Sequence, residues 1–229
     1  MKAKILEIFR SIQGEGPYSG VKQVFVRFFE CNMHCVWCDT PHSIGDTTRR
    51  YHELTLDEVF KNIKELWDHS HSVSLTGGEP LLQENFIKLL LLKLKKAEMP
   101  VYLETNGVLP NELKEVIKGI DIVAMDIKLP SSTKCRPYWE EHKEFLKIAR
   151  ETETFIKTVI SSDTDKNDII KATDLVESID PKILFILEPN YFEMKNGVVS
   201  KCLEFEKYCA QRLENVRVMP QMHKFLKVR

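Results

Sequence analysis

Short apolar runs rich in β-branched and aromatic residues alternate along this chain with longer stretches of helical period. The runs over 24–29, 72–76, 101–104, 122–126, 155–160, 183–188 and 216–219 predict strands. Between them, apolar residues at three- and four-residue spacing predict helices over about 55–67, 83–97, 112–117, 137–150, 168–178 and 203–213. Thr55-Leu56-Asp57-Glu58 has the form of a capping box at the start of the first helix, and Pro100 separates the second from the strand after it. The longest apolar run, Phe86 to Leu92, is interrupted by Lys88. It falls far short of the roughly 20 residues that span a bilayer and reads as a buried helix face. Repeated βα units with right-handed crossovers build a parallel sheet, either open or curled into a barrel. Six or so repeats are too few for an eight-fold barrel. The expectation is a single α/β domain over 1–229, a partial (incomplete) TIM-like βα barrel with about six parallel strands. No Gly-, Pro- or Ser-rich linker and no low-complexity tract divides it.

Composition narrows the class. A chain of 229 residues can bury a full core. Its formal net charge of -1 gives no bulk electrostatic case for nucleic acid or a membrane surface. The first residues have neither a long apolar core nor a small-residue cleavage site. Free thiols favour a reducing compartment, so a cytoplasmic location is expected.

The chemistry is concentrated in Cys31-Asn32-Met33-His34-Cys35-Val36-Trp37-Cys38. A CxxxCxxC run supplies three thiolates from one loop, one short of the set that fully ligates a 4Fe-4S cube, so one iron would stay open. Zinc is the rival, with His34 as a fourth ligand. His34 and Cys35 are adjacent, however, and neighbours on an extended loop point different ways. No second CxxC pair follows, and Cys135, Cys202 and Cys209 are scattered singly. In βα folds, function gathers at the carboxyl ends of the strands. The cysteine run follows the first predicted strand, and Thr76-Gly77-Gly78-Glu79-Pro80 follows the second. Glu104-Thr105-Asn106-Gly107, Asp126-Ile127-Lys128, Glu188-Pro189-Asn190 and Pro220-Gln221-Met222-His223-Lys224 end later ones. Each alone is a turn or a helix cap; together they surround one cavity mouth.

CxxxCxxC after the first strand with Gly-Gly-Glu-Pro after the second resembles the radical S-adenosylmethionine (SAM) superfamily, whose core is a complete or partial βα barrel. The resemblance implies that Cys31, Cys35 and Cys38 hold a 4Fe-4S cluster whose open iron binds SAM. It places SAM against Trp37, Asp39, Gly77, Gly78, Glu79, Glu104, Asp126 and Lys128. Ser11-Ile12-Gln13-Gly14-Glu15-Gly16-Pro17, Cys38-Asp39-Thr40 and the Pro220–Lys224 tail are in addition similar to the 7-carboxy-7-deazaguanine synthase family. That likeness implies a lyase that contracts 6-carboxy-5,6,7,8-tetrahydropterin to 7-carboxy-7-deazaguanine with loss of ammonia, on the route to queuosine and other 7-deazapurines. A SAM-derived radical would take hydrogen from the substrate and SAM would be regenerated.

The same likeness places the pterin against Ile12, Gln13, Gly14, Glu15, Arg27, Thr76, Gln221 and His223. Arg27 would pair with the substrate carboxylate, Gln13 and Glu15 would read the amino-pyrimidinone edge, and Thr40 would touch Mg2+. Residues about 1–22 would form a substrate-binding extension and about 220–229 a tail. An electron donor such as flavodoxin or ferredoxin and a homodimer are implied as partners. One departure is local. The family often has glycine after Pro-Ser-Ser, whereas here Pro130-Ser131-Ser132 runs into Thr133-Lys134-Cys135. Outside the motifs, Lys93, Lys95 and Lys96 read as a wet helix face, and Trp67 and Trp139 as core or interface. The alternatives are a glycyl-radical-enzyme activase, which also carries CxxxCxxC, and a non-catalytic zinc-binding module.

Overall fold

The computed structural model describes residues 1–45 and 50–228; Arg229, the end of the expected tail, lies outside them. One nine-stranded sheet organises these residues, in the order β3-β1-β2-β4-β5-β6-β7-β8-β9. Seven strands run parallel: β2 (Lys22–Phe28), β4 (Ser72–Gly77), β5 (Val101–Thr105), β6 (Ile122–Asp126), β7 (Glu153–Ile160), β8 (Phe185–Pro189) and β9 (Val216–Val218). β1 (Lys2–Ile12) pairs antiparallel with β2, and β3 (His52–Thr55) pairs antiparallel with β1. β3 and β9 are the two ends of the sheet order, which makes this an open, partial barrel. The parallel count is seven, one more than the six or so expected.

The crossover helices are α1 (Leu56–Leu66), α2 (Glu84–Lys96), α3 (Pro110–Val116), α5 (Trp139–Ala149), α6 (Lys166–Ile179) and α7 (Val198–Cys209), with two short helices, α4 (Pro130–Thr133) and α8 (Met222–Leu226). The capping box of α1 is formed: Glu58 N–H donates to Thr55 Oγ1 at 3.3 Å and Thr55 N–H to Glu58 Oε2 at 2.8 Å. The apolar stripes of α1 and α2 (Val59, Ile63, Phe86, Ile87, Leu90, Leu94) pack on Val24, Val26, Phe28, Val73, Leu75, Val101 and Leu103 from the sheet. Leu89 and Leu92 remain exposed, so the Phe86–Leu92 run is only partly a buried face. None of the described helices is long and apolar enough to cross a membrane.

Strand side chains alternate between faces, so the residues between those core positions point inward. The inner face has an apolar floor of Tyr102, Ile122, Ala124, Phe155, Leu184 and Ile186. Toward the carboxyl ends it becomes polar, through Arg27, Thr76, Glu104, Asp126, Lys157 and Glu188. The fold positions the site through this gradient.

Three features differ from the sequence reading. The first residues, read only as an extension, form an 11-residue strand in the sheet. A register shift between Ile5 and Glu7 breaks the period-2 pattern that would have announced it. Helix α7 begins at Val198 rather than near 203, because Gly197, at φ 82°, turns the chain directly into it. Lys134, in the segment where the family often has glycine, takes the left-handed conformation (φ 62°, ψ 17°), closing α4 with its N–H on Pro130 O at 2.9 Å. A side chain in that region costs about 1 kcal/mol relative to glycine. Part of that gain is offset by the freer unfolded chain of glycine. Lys134→Gly is therefore expected to stabilise by about 0.5 kcal/mol and raise Tm by about 1–2 °C. Thermal unfolding checks this, and a lowered Tm would show that the Lys134–Asp163 ion pair outweighs the backbone strain.

Candidate active site

All the residues expected from the sequence to contact ligand, Glu79 excepted, line one cavity at the carboxyl ends of the parallel strands. The cysteine loop leaves β2 through Glu30 at φ 82° and is tied down at both sides. Glu30 N–H donates to Ser43 O (2.8 Å), Cys31 N–H to Ile44 O (3.1 Å) and Val36 N–H to Thr133 O (3.2 Å). Met33 is buried beneath the loop, while Cys31, Cys35 and Cys38 all face the cavity. Burial pushes the Cys31 thiol up to about 11 and Cys35 up to about 12. Both are therefore neutral without metal, and a bound metal would have to displace their protons. Among the described residues no three His, Cys, Asp or Glu side chains stand at single-ion spacing.

Opposite the thiols, Gly77 and Gly78 bring bare backbone to the wall. Gly77 has φ 136° and a Cβ there would lie 2.2 Å from Phe28 O; at Gly78 it would lie 2.1 Å from Glu30 O. No side chain fits at either position. Soft thiols on one loop facing a side-chain-free backbone strip suit a cluster with a small polar ligand. Glu79 is turned away from this space. It is fully buried, its Oε1 accepting from Leu81 N–H (3.1 Å) and Thr105 Oγ1 (2.9 Å) and its Oε2 from Asn106 N–H (2.8 Å). The expected cofactor contact is thus a brace between the β4 and β5 loops.

The far half of the cavity is a charge network. Buried Lys157 pairs with Glu15 and lies 3.6 Å from Asp126 Oδ2, which also takes Lys128 Nζ at 2.7 Å. Burial works against ionising Glu15, yet Lys157 holds its carboxyl below the ordinary range. Burial likewise disfavours charge on Lys157, but Glu15 and Asp126 keep it protonated. Glu104 accepts from Thr76 Oγ1 (2.6 Å) and Gln13 Nε2 (2.8 Å). Gln13 also donates to Gln23 Oε1, and its own Oε1 accepts from Gly14 and Glu15 N–H. Its amide is saturated. Gln13 therefore orients Glu104 instead of presenting a free edge to a ligand. Arg27 reaches the cavity with its Nε on Glu7 Oε1 (2.9 Å) and its guanidinium over Phe9. Thr40 Oγ1 is 3.8 Å from Cys38 Sγ.

The C-terminal tail closes the rim. Gln221 Nε2 donates to Glu15 Oε1 (2.7 Å), Met222 N–H to Gly14 O (2.8 Å), and Lys224 Nζ pairs with Asp39 at 2.9 Å. His223 packs so closely on Gly14 that a Cβ there would be 2.2 Å from its Nδ1. Two buried oxygens on the cavity wall, Asp126 Oδ1 and Glu188 Oε1, have no hydrogen-bond partner among the described residues. Buried polar oxygens are nearly always satisfied, so these two mark where a ligand's polar groups would sit.

A scan of protein-family models matches the Radical SAM superfamily over residues 26–182. A curated 7-carboxy-7-deazaguanine synthase of Geobacter sulfurreducens is 35% identical, covering 98% of this chain and 97% of that protein. One from Archaeoglobus fulgidus is also 35% identical over the full length of both. The chain belongs to the 7-carboxy-7-deazaguanine synthase family of radical SAM enzymes. Radical SAM membership brings a 4Fe-4S cluster and SAM as cofactors. Among solved structures, QueE from Escherichia coli aligns over 97% of this chain and 95% of its own, with TM-score 0.68 at 22% identity, a likeness of fold.

Lys157 and Glu188 on the cavity wall, and His142 behind it, were not expected as ligand contacts or supports. Lys157 had one available signal, a lone charge inside an apolar strand. Glu188 was visible only as a strand end. His142, on α5, gave no signal. Its ring is fully buried, with Nε2 accepting from Lys128 N–H (3.1 Å), so Nδ1 carries the proton and donates to Gly107 O (3.0 Å).

Burial lowers the His142 pKa from the ordinary 6.5 to about 4. Between those values the unfolded chain binds a proton that the folded chain refuses. This contribution is complete above pH 6.5 and is lost as pH falls through 4; it amounts to about 3 kcal/mol. Denaturant unfolding from pH 6.5 to 4 should show wild type losing that much more stability than His142→Gln. Equal losses would contradict a buried neutral ring.

Proposed function

We propose that this chain is a lyase converting 6-carboxy-5,6,7,8-tetrahydropterin to 7-carboxy-7-deazaguanine with loss of ammonia, in 7-deazapurine biosynthesis. The observation that carries the reading is the two-sided cavity. Three thiols and a side-chain-free strip face one half, and a cation–carboxylate network under the tail faces the other. Full-length relatives bearing the name of this activity support it.

In this reading Cys31, Cys35 and Cys38 hold the cluster, which with SAM supplies a 5′-deoxyadenosyl radical when bound. Trp37, Asp39, Gly77, Gly78, Asp126 and Lys128 line the SAM side; Asp126 offers its unpartnered oxygen and the glycines their backbone. On the pterin side, Glu7 holds the Arg27 Nε, which directs the rest of the guanidinium at the substrate carboxylate. Glu15 is kept ionised by Lys157, and so accepts from the amino-pyrimidinone donors. Ile12, Gly14, Thr76, Gln221 and His223 complete that wall, and Glu104, aimed by Gln13 and Thr76, stands between the halves. Thr40 is the magnesium contact: a hard ion that keeps its waters suits a wall with one hydroxyl. The whole chain acts as one domain, with β1, the 13–16 turn and the tail enclosing the substrate. A homodimer, a cytoplasmic setting and a low-potential donor such as flavodoxin or ferredoxin belong to the same reading.

The test is an anaerobic assay of reconstituted, reduced protein with SAM, Mg2+ and the carboxytetrahydropterin, read by mass spectrometry. The expected outcome is 7-carboxy-7-deazaguanine without matching consumption of SAM. SAM cleavage with the pterin untouched would discard the substrate, and protein that takes up zinc but no iron would discard the radical chemistry. Arg27→Ala should raise KM for the pterin about 10- to 100-fold, the worth of a hydrogen-bonded charge. Unchanged KM would remove Arg27 from carboxylate binding.

A further inference from the structure

His142 lies on the helix side of the sheet, not in the cavity, yet both ring nitrogens are used on cavity loops. Nε2 fixes the backbone of Lys128 in the β6 loop, and Nδ1 fixes Gly107 in the β5 loop. Each loop reaches the cysteine run from a different side. On the β5 side, Asn106 Nδ2 donates to Asn32 Oδ1 at 2.8 Å, directly beside Cys31. On the β6 side, Lys128 Nζ stands 4.8 Å from the centre of the Trp37 ring, between Cys35 and Cys38. Gly107 is shaped for the contact: it has φ 70°, and a Cβ there would lie 2.9 Å from Met125 and 3.2 Å from His142 Nδ1. Trp37 is held from its other edge by Nε1 donating to Ser132 Oγ at 2.9 Å, so a shift of Lys128 would be felt by a ring with little freedom of its own.

We propose that His142 is a positioning residue for the cofactor half of the cavity, setting both flanks of the cysteine loop through Asn106–Asn32 and Lys128–Trp37. It rests on the reading of Cys31, Cys35 and Cys38 as cluster ligands with Lys128 beside SAM. A ring that accepts at one nitrogen and donates at the other couples two backbones across a fixed span of about 2 Å, which an aliphatic side chain cannot do. Outer partners that hold ligand-bearing loops in this way typically change affinity about 10- to 100-fold when removed. A merely structural staple would alter stability and leave ligand affinity alone.

The experiment uses full-length wild type, His142→Phe, His142→Gln and Asn32→Ala, each anaerobically reconstituted, with iron and sulfide counted first. The EPR spectrum of the reduced cluster is then followed through a SAM titration, alongside thermal unfolding. His142→Phe is expected to need about 10-fold more SAM to complete the spectral change. His142→Gln, whose amide has a donor and an acceptor at similar separation, should stay within about twofold. Asn32→Ala, exposed and harmless to folding, cuts one flank and should need about threefold more SAM. His142→Phe that melts lower but titrates like wild type overturns the proposal, as does His142→Gln as impaired as His142→Phe. If His142→Phe does not fold, an unchanged titration for Asn32→Ala overturns it instead. Wild type that takes up no iron overturns the cluster reading and this inference together, and is told apart by the iron count.

Discussion

A charged amine in the middle of a sheet's inner face is tolerable only if carboxylates meet it there, and Lys157 depends on two. Glu15 and Asp126 both pair with it. Losing either would leave an uncompensated buried charge, which costs far more than the pair itself contributes. The consequences spread along the chain. Glu15 belongs to the turn after β1 and takes the tail through Gln221, so one amine links the N-terminal strand, β7 and the C-terminus. Asp126 shares its Oδ2 with Lys128, whose Nζ stands over Trp37 in the cysteine loop. The half of the cavity that would take a pterin and the half that would take a cofactor are thus electrostatically continuous.

Backbone constraint does for the cofactor half what charge does for the other. Gly77 and Gly78 come so close to Phe28 and Glu30 that the β4 loop and the root of the cysteine loop form one packed unit. Glu79 locks that unit to the β5 loop with two hydrogen bonds, from Thr105 Oγ1 and Asn106 N–H, and His142 locks the β5 loop to the β6 loop. Precise placement of reactive groups needs such supports, since small misplacements of bound groups are expensive for reactivity.

The open seven-strand parallel arrangement is a scaffold that hosts many chemistries, so fold alone does not establish a reaction. The likeness to the solved QueE structure is of that kind. The family follows instead from relatives matched over their whole length, and the proposed residue roles rest on where side chains point. Gln13 shows the difference. It lies on the cavity wall as its motif suggests, but with its amide saturated it serves by aiming Glu104.

Much of this was legible in the sequence because it is local. Strand and helix periods, the Thr55–Glu58 capping box and the three-thiol spacing are written within a few consecutive residues; the capping box is formed and the three thiols line one cavity. In a parallel βα sheet the strand ends share one rim, so motifs at those ends identify the cavity before any contact is known. What depended on neighbours from distant segments was not legible. The β1 strand was concealed by a bulge, since alternation fails where the register shifts. The pairing of Lys157, the inward turn of Glu79 away from the ligand space and the bridging of the β5 and β6 loops by His142 were decided by tertiary structure alone. The physical reason is common to all three. A buried polar group is placed by the partners that satisfy it, and here Thr105 for Glu79, Gly107 for His142 and Glu15 for Lys157 lie 26, 35 and 142 residues away, on strands and loops that only the folded sheet brings together.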